Sequence, residues 1–136
     1  QKSQTILIHS GAGGVGLYAN QIAKKWNAYT IALIGSESKI QMIKNVGYDD
    51  YILRSSHFKN DLMKKLSGKR LDLVLECMGG HYFQDSYDSL SPMGRLITYG
   101  SAVFTPQSSY RNWIKIAYQY LIRPKIDPLK MISDNK

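Results

Sequence analysis

The chain has 136 residues, a hydrophobic fraction of 43% and a formal net charge of +8 at pH 7, which fits one soluble globular domain. The single cysteine excludes an internal disulfide framework and a multi-cysteine zinc cluster. No apolar run approaches the ~20 residues that span a bilayer, and the scattered lysines and arginines do not favour nucleic-acid binding. We expect a cytoplasmic protein without a membrane span.

Apolar strands alternate with amphipathic helices along most of the chain. The strands are predicted at Thr5–His9 and at residues 30–34, 50–53, 71–75 and 96–99. Four helices are predicted between them from apolar residues at helical spacing: Val15, Ala19, Ile22, Ala23 and Trp26; Ile40, Ile43 and Val46; Phe58, Leu62, Met63 and Leu66; Phe83, Tyr87 and Leu90. Gly47 and Gly68 are natural helix stops, and Ser55 or Ser56 is the predicted N-cap of the third helix.

This alternation predicts an α/β fold, a Rossmann-type doubly wound parallel sheet in a three-layer α/β/α arrangement with right-handed crossovers. Beyond Gly100, residues 101–110 are predicted as a loop and residues 112–121 as a helix, whose Trp113, Tyr118 and Tyr120 are interpreted first as a core face and second as a partner surface. A proline-broken segment at 123–128 and a short helix at 129–133 follow.

The turn after the first strand carries the main functional signal. It is Gly11-Ala12-Gly13-Gly14-Val15-Gly16, a match to G-x-G-x-x-G between a strand and a helix. In this pattern Gly11 permits the tight turn, Gly13 lets the backbone approach a pyrophosphate, and Gly16 lets the helix pack closely on the strand. The helix N-terminus offers N–H groups and partial positive charge to phosphates. A dinucleotide site is therefore predicted.

The loop after the second strand favours NADP over NAD. An NAD site needs an acid at the end of this strand to bind the ribose 2′-hydroxyl, but the strand ends in an isoleucine and a glycine. Ser36, Ser38 and Lys39 offer hydroxyls and a cation that suit a 2′-phosphate, and Arg54 would add a second charge from the next loop. Glu37 is the only acid nearby, and it is explained as an acid in a first helical turn. NAD remains the alternative cofactor.

Two further loops lie at the same end of the predicted sheet. After strand four, Gly79 and Gly80 would let the backbone approach a flat ring or a ribose, although an ordinary tight turn explains them too. Cys77 has no histidine beside it in sequence and is interpreted as a small buried thiol rather than a nucleophile. The three histidines, His9, His57 and His81, lack metal-ligand spacing, so no metal site is predicted.

Several segments together resemble the medium-chain dehydrogenase/reductase superfamily, and within it the zinc-free quinone oxidoreductase branch with its VAT-1-like members. The resemblance covers essentially the whole chain and is carried by residues 9–17, Gly35-Ser36 with Lys39, and residues 71–74, 91–100, 123–128 and 131–136.

The resemblance implies an NADPH-dependent enzyme that transfers hydride to a quinone or an activated enone. It places the pyrophosphate at Gly14 and Val15, the 2′-phosphate at Ser36 and Lys39, and the nicotinamide side near Met78, Gly79, Tyr99 and Gly100. Arg54 stands where some relatives carry a tyrosine near the adenosine. The family also has an N-terminal barrel-like catalytic domain and often dimerises through its nucleotide-binding domains.

Residues 1–136 are therefore predicted to form one dinucleotide-binding domain. Because the chain begins at Gln1 without a methionine, we expect it to be excised from a longer two-domain reductase and inactive alone. No catalytic residue or general acid can be named within it. The main alternative is a non-catalytic NADPH-binding relative that acts through protein partners. A methyltransferase is disfavoured because it would need an acid at the end of strand two, where an isoleucine and a glycine stand. A phosphate-loop NTPase is disfavoured because no Gly-Lys-Ser/Thr follows the glycines.

Overall fold

Five short apolar segments pair in parallel at the centre of the molecule. The computed structural model describes residues 4–100 together with Tyr118 and Leu121. The strands are β1 (Thr5–His9), β2 (Tyr29–Ile34), β3 (Asp50–Leu53), β4 (Leu73–Glu76) and β5 (Arg95–Thr98). The helices are α1 (Gly14–Lys25), α2 (Ile40–Asn45), α3 (Phe58–Leu66) and α4 (Gly80–Ser89), and a 3-10 turn (Glu37–Lys39) precedes α2.

The strand order is β3-β2-β1-β4-β5, with every neighbouring pair parallel. The predicted doubly wound α/β architecture is thereby confirmed. Order reverses between β1 and β4, because the chain runs outward from β1 to β3 and then returns to the other side of β1. In open sheets of this kind, ligands bind beyond the carboxyl ends of the strands at such a reversal. The loops after β1 and β4 flank it.

The core has two layers, one on each face of the sheet. One layer joins the sheet to α3 through Phe58, Leu62 and Leu66, and the other joins it to α1 and α2 through Ala23 and Ile43. The whole of β1 is buried, as expected for a central parallel strand that is covered on both faces.

Helix α1 is confirmed, but most of the apolar residues that predicted it do not face the sheet. Val15, Ile22 and Trp26 are exposed by 56%, 60% and 81%. The buried positions are instead Gly16, Asn20 and Ala23. The spacing of the large apolar residues therefore predicted the helix correctly, but these residues lie on the solvent side of the helix and not on the side that packs on the sheet.

The small residues are buried because α1 approaches the end of β1 very closely. A Cβ placed on Gly16 would lie 2.7 Å from both the Gly11 Cα and the Ser10 carbonyl oxygen. A Cβ placed on Gly11 would lie 2.6 Å from the Ala32 Cβ on β2. Atoms do not pack at these distances, so both positions require glycine. This confirms close packing as the physical reason for Gly16. For Gly11, which was predicted to permit a tight turn, the structure adds close packing against Ala32.

Two local predictions need correction. The N-cap position of α3 is His57, which makes no side-chain cap bond, and not Ser55 or Ser56. The Ser55 hydroxyl instead accepts the His57 N–H at 3.1 Å, before the helix begins. Strand β4 begins at Leu73 and not at Leu71, because the Leu71 backbone is bound to Ser91 through both its N–H and its carbonyl. Gly47 and Gly68 do follow helices, with φ of 82° and 81°.

The predictions for residues 101–110, 123–128 and 129–133 lie outside the described residues, as does most of the helix at 112–121. Tyr118 and Leu121 are both helical and exposed. The interpretation of Tyr118 as a core residue is therefore wrong. Within the part of the chain that the structure describes, no helix is long and apolar enough to cross a membrane.

We predict that Gly16→Ala lowers the free energy of unfolding by roughly 1–3 kcal/mol, because its Cβ overlaps the backbone of the preceding turn. Gly14→Ala is the matched control: a Cβ there meets no atom within 4 Å, so the expected change is below about 0.5 kcal/mol. Urea unfolding of the three proteins checks this. Equal losses for the two variants would contradict the packing argument.

Candidate dinucleotide-binding site

The glycine turn leaves the N-terminus of α1 free of side chains. Ser10 adopts a left-handed conformation (φ 50°), and the Gly13 N–H closes the turn on the Ser10 carbonyl oxygen at 2.7 Å. Helix α1 then starts at Gly14, with Gly13 as an N-cap that makes no side-chain hydrogen bond. The first N–H groups of a helix need external acceptors, and none comes from a cap here.

This turn fits a pyrophosphate. Gly13 and Gly14 are exposed, and the space around Gly14 is open to 4 Å. Phosphate oxygens could therefore approach the backbone N–H groups directly, where the helix dipole favours negative charge. Val15 is exposed beside them, so its predicted position near the pyrophosphate is sterically available.

Tyr48, which lies in the turn between α2 and β3, stabilises the glycine turn through hydrogen bonds to its backbone. Its ring is buried, and its hydroxyl lies 2.8 Å from the Gly16 carbonyl oxygen and 3.2 Å from the Gly11 carbonyl oxygen. One O–H group is thus shared between the first and last glycines of the motif. Burial raises the pKa of Tyr48, which keeps the hydroxyl protonated as a donor.

The same turn also holds α1 in place. The buried Asn20 side chain donates to the Val46 carbonyl oxygen at 2.8 Å, and Lys24 on α1 forms an ion pair with Asp49 at 2.5 Å. Sequence analysis missed both Tyr48 and Asn20. For Tyr48, the available signal was an aromatic residue directly after the helix-stop Gly47. Nothing in the nearby sequence indicated its partner Gly16, which lies 32 residues away.

The loop after β2 gathers the groups predicted for a 2′-phosphate. Ser36, Ser38 and Lys39 are all exposed, and the two serine hydroxyls are 2.6 Å apart. Arg54 reaches this loop from β3: a Cβ on Gly35 would lie 2.9 Å from its Nη2. The guanidinium therefore lies against Gly35. Glu37 is also exposed, in the 3-10 turn.

The loop after β4 is organised by a buried acid. Glu76 is 1% exposed, and its Oε1 accepts the N–H groups of Met78 at 2.7 Å and Gly79 at 2.5 Å. The Nδ1 of the fully buried His9 lies 3.6 Å from the same oxygen. Burial raises the pKa of Glu76, but the His9 ring and the N–H groups of Gly79 and Met78 lower it by more, so the net shift is downward.

Tyr99 follows β5 and completes this side of the site. Its hydroxyl donates to the His9 carbonyl oxygen at 3.0 Å, and its N–H donates to the Glu76 carbonyl oxygen at 2.9 Å. Burial, with Cys77 as a further cause, raises the pKa of Tyr99. Gly100 is exposed, and a Cβ there would lie 3.6 Å from the Cys77 Cβ. Cys77 itself is half-buried.

The predicted residues thus fall into two groups on opposite sides of the glycine turn. Ser36, Lys39 and Arg54 lie beyond β2 and β3, whereas Met78, Gly79, Tyr99 and Gly100 lie beyond β4 and β5. Met78 is 6% exposed as a whole residue and its side chain belongs to the core, so it offers a ligand little surface. Within the described residues, no group of three His, Cys, Asp or Glu side chains could hold a metal ion.

Comparison with known proteins identifies the family of the chain. Residues 14–123 match the family model of zinc-binding dehydrogenases. The synaptic vesicle membrane protein VAT-1 of Tetronarce californica is 35% identical over 98% of this chain, which covers 35% of that protein. The chain covers only 4% of a Dictyostelium discoideum polyketide synthase, to which it is 41% identical.

Solved structures show the same fold. A putative enoyl reductase domain of a polyketide synthase is 34% identical with a TM-score of 0.67, over 74% of this chain and 58% of that one. Mycobacterial Rv1454c, complexed with NADPH, has a TM-score of 0.72 at 24% identity, over 96% of this chain and 36% of that one. At this identity the second likeness shows the fold alone.

The parallel sheet, its order reversal and the glycine turn define a Rossmann-type domain. The chain belongs to the zinc-binding dehydrogenase family, in the medium-chain dehydrogenase/reductase superfamily, and is similar to VAT-1. Zinc does not fit the residues that the structure describes, because no suitable ligand group occurs among them.

We predict that Tyr48→Phe destabilises the fold by about 1 kcal/mol, because the shared hydrogen bond to the glycine turn is lost. Tyr51→Phe on neighbouring β3, where the half-buried ring also remains, is expected to change stability by less than about 0.5 kcal/mol. Chemical denaturation measures both. A Tyr48→Phe variant as stable as the parent protein would show that the hydroxyl does not fasten the turn.

Proposed function

We propose that the chain is the NADPH-binding domain of an oxidoreductase that reduces a quinone or an activated enone without zinc. The observation that carries the proposal is the uncapped N-terminus of α1, flanked on one side by Lys39 and Arg54 in the loops after β2 and β3, and on the other by the glycine-containing loop after β4. Membership of a dehydrogenase family supports oxidoreductase chemistry. The likeness to a putative enoyl reductase domain supports an unsaturated acceptor.

Each group of residues has a distinct task in this proposal. The N–H groups at Gly14 and Val15 bind the pyrophosphate, with Gly11, Gly13 and Gly16 giving the backbone its path. Ser36, Lys39 and Arg54 bind the 2′-phosphate through hydroxyls and positive charge. Gly79, Gly100, Tyr99 and the Met78 backbone border the nicotinamide ribose and ring.

NADPH supplies the hydride when bound, and the protein contributes binding and orientation. Tyr99 is held by its bond to the His9 carbonyl oxygen, so it orients the loop after β5. We assign the acceptor pocket and the general acid to parts of a longer polypeptide, since the chain covers about a third of VAT-1. A cytoplasmic location and dimerisation of that polypeptide stay predictions.

The cofactor preference is tested by titrating the chain with NADPH and NADH and following nucleotide fluorescence. The unmodified chain should bind NADPH more tightly. Lys39→Glu should weaken NADPH binding by roughly tenfold, the loss of one charge-assisted bond to phosphate, and change NADH binding by less than about twofold. Lys44→Glu, the same charge reversal on α2, is the control and should change neither.

Tighter binding of NADH by the unmodified chain would contradict the NADP assignment. Equal losses for both nucleotides in Lys39→Glu would remove Lys39 from the phosphate site while leaving dinucleotide binding intact.

The reaction is tested with the full polypeptide that contains this chain, by following NADPH absorbance. We expect NADPH oxidation that depends on an added quinone or α,β-unsaturated ketone, and that persists after treatment with a zinc chelator. Binding of NADPH without oxidation by any such acceptor would instead support the non-catalytic alternative, in which the nucleotide is a structural or sensing ligand.

A further inference from the structure

Three neighbouring loops of the site are joined beneath the surface by polar groups, of which His9, Glu76 and Ser86 have no binding role in the proposed function. His9 ends β1, Glu76 ends β4 and Tyr99 follows β5. Ser86, which lies on α4, is fully buried and contacts the His9 Nε2 through its hydroxyl at 3.0 Å. Burying an acid, an imidazole and a hydroxyl together is costly unless each has partners. The contacts of this buried cluster must therefore offset the cost of removing its polar groups from water.

The contacts of Glu76 show how this cost is offset. Its carboxylate turns back on its own loop and accepts two consecutive backbone N–H groups, those of Met78 and Gly79. Hydrogen bonds to an ionised acceptor are roughly twice as strong as neutral ones. Gly79 also has φ of 74° and ψ of −167°, a conformation that favours glycine. The carboxylate therefore fixes the path of the loop just where that loop would face a ligand.

His9 connects this arrangement to the other two loops. Its ring lies between Glu76 and Ser86, while its carbonyl oxygen accepts the Tyr99 hydroxyl. The next residue, Ser10, begins the glycine turn and directs its hydroxyl to the Met78 sulfur at 3.6 Å. The ring is further held by edge contacts with Phe58 and Tyr82, at centroid distances of 5.9 Å and 6.4 Å.

The groups that hydrogen-bond to His9 and Glu76, namely Ser86, Tyr99 and the N–H groups of Met78 and Gly79, lie on the β4 side of β1. The Phe58 ring belongs to α3, which also contacts β3. The loop with Ser36 and Lys39 lies on the other side of β1, beyond β2. A substitution in the buried cluster should therefore weaken binding of the nicotinamide–ribose half of a dinucleotide and leave binding of the adenosine 2′-phosphate half unchanged.

We propose that Glu76 and His9 are positioning residues that hold the loop after β4 for the nicotinamide–ribose half of NADPH. The proposal rests on the proposed function. It adds that affinity for this half depends on a buried carboxylate that does not itself touch the nucleotide, whereas affinity for the adenosine 2′-phosphate half does not.

The test compares two ligands, NADPH and adenosine 2′,5′-bisphosphate, which lacks the nicotinamide half. Glu76→Gln keeps the shape of the side chain and removes its charge. We expect NADPH affinity to fall by about tenfold and affinity for the bisphosphate to change by less than about twofold. Asp88→Asn, the same change at an exposed position of α4, should alter neither. Titration calorimetry on the chain measures each affinity.

Ser86→Ala is the milder variant, because it removes only the hydroxyl that contacts His9. It should reproduce the same pattern at about two- to threefold, since one neutral hydrogen bond is lost. It also keeps the proposal testable if Glu76→Gln does not fold.

A measurement without ligand examines the loop itself. In Glu76→Gln, the Met78 and Gly79 amide protons should exchange with solvent about tenfold faster or more, while amides of β2 keep their protection. Unchanged exchange at Met78 and Gly79 would overturn the positioning role whatever the ligands do.

The outcomes separate the two proposals. If the unmodified chain binds both ligands but Glu76→Gln weakens both equally, the cluster is merely structural and the NADPH assignment survives. If the unmodified chain binds neither ligand, the proposed function is wrong and the positioning role, which needs a dinucleotide, is overturned with it.

Discussion

The close approach of α1 to the end of β1 is the constraint on which the rest of the structure depends. At Gly16 no side-chain atom fits between the helix and the Ser10–Gly11 backbone. This contact fixes the direction of α1, so its N-terminus faces the crevice beyond the strands. It also forces small or hydrogen-bonded residues onto the inner face of the helix. The open N-terminus of α1, which is the candidate pyrophosphate site, depends on this one backbone contact.

Much of the fold could be predicted because its signals are local. Apolar segments bounded by glycines located the five strands to within two residues at each end, and the β1 and β3 bounds were predicted without error. The glycine turn was recognised because its spacing has a direct steric meaning. The face of α1 was not, because helical spacing reports where apolar residues lie and not which side the sheet covers. Only the distance at Gly16 decides that.

The grouping of loops around the candidate site could be predicted from the sequence, but the residues that hold those loops could not. Loops at the carboxyl ends of parallel strands must lie together, so the positions of Ser36, Lys39, Gly79 and Gly100 followed from topology alone. The groups that hold these loops could not be found in the same way. Tyr48, Glu76 and Ser86 act through partners far along the chain. The available sign for His9 and Glu76 was a charged or imidazole side chain at the end of an apolar strand, and for Tyr48 it was an aromatic directly after Gly47.

The separations of these contacts along the chain have a consequence for folding. Tyr48 reaches Gly16 across 32 residues, His9 reaches Ser86 across 77, and Tyr99 reaches the His9 carbonyl across 90. The first unit, β1–α1–β2, can form its helix and strands from nearby contacts. The hydrogen bonds from Tyr48 to the glycine turn form only after the α2–β3 turn has packed against this unit. The bond from Tyr99 to His9 forms only after β5 has joined the sheet. The loops around the candidate site therefore reach their final arrangement only when the sheet is complete.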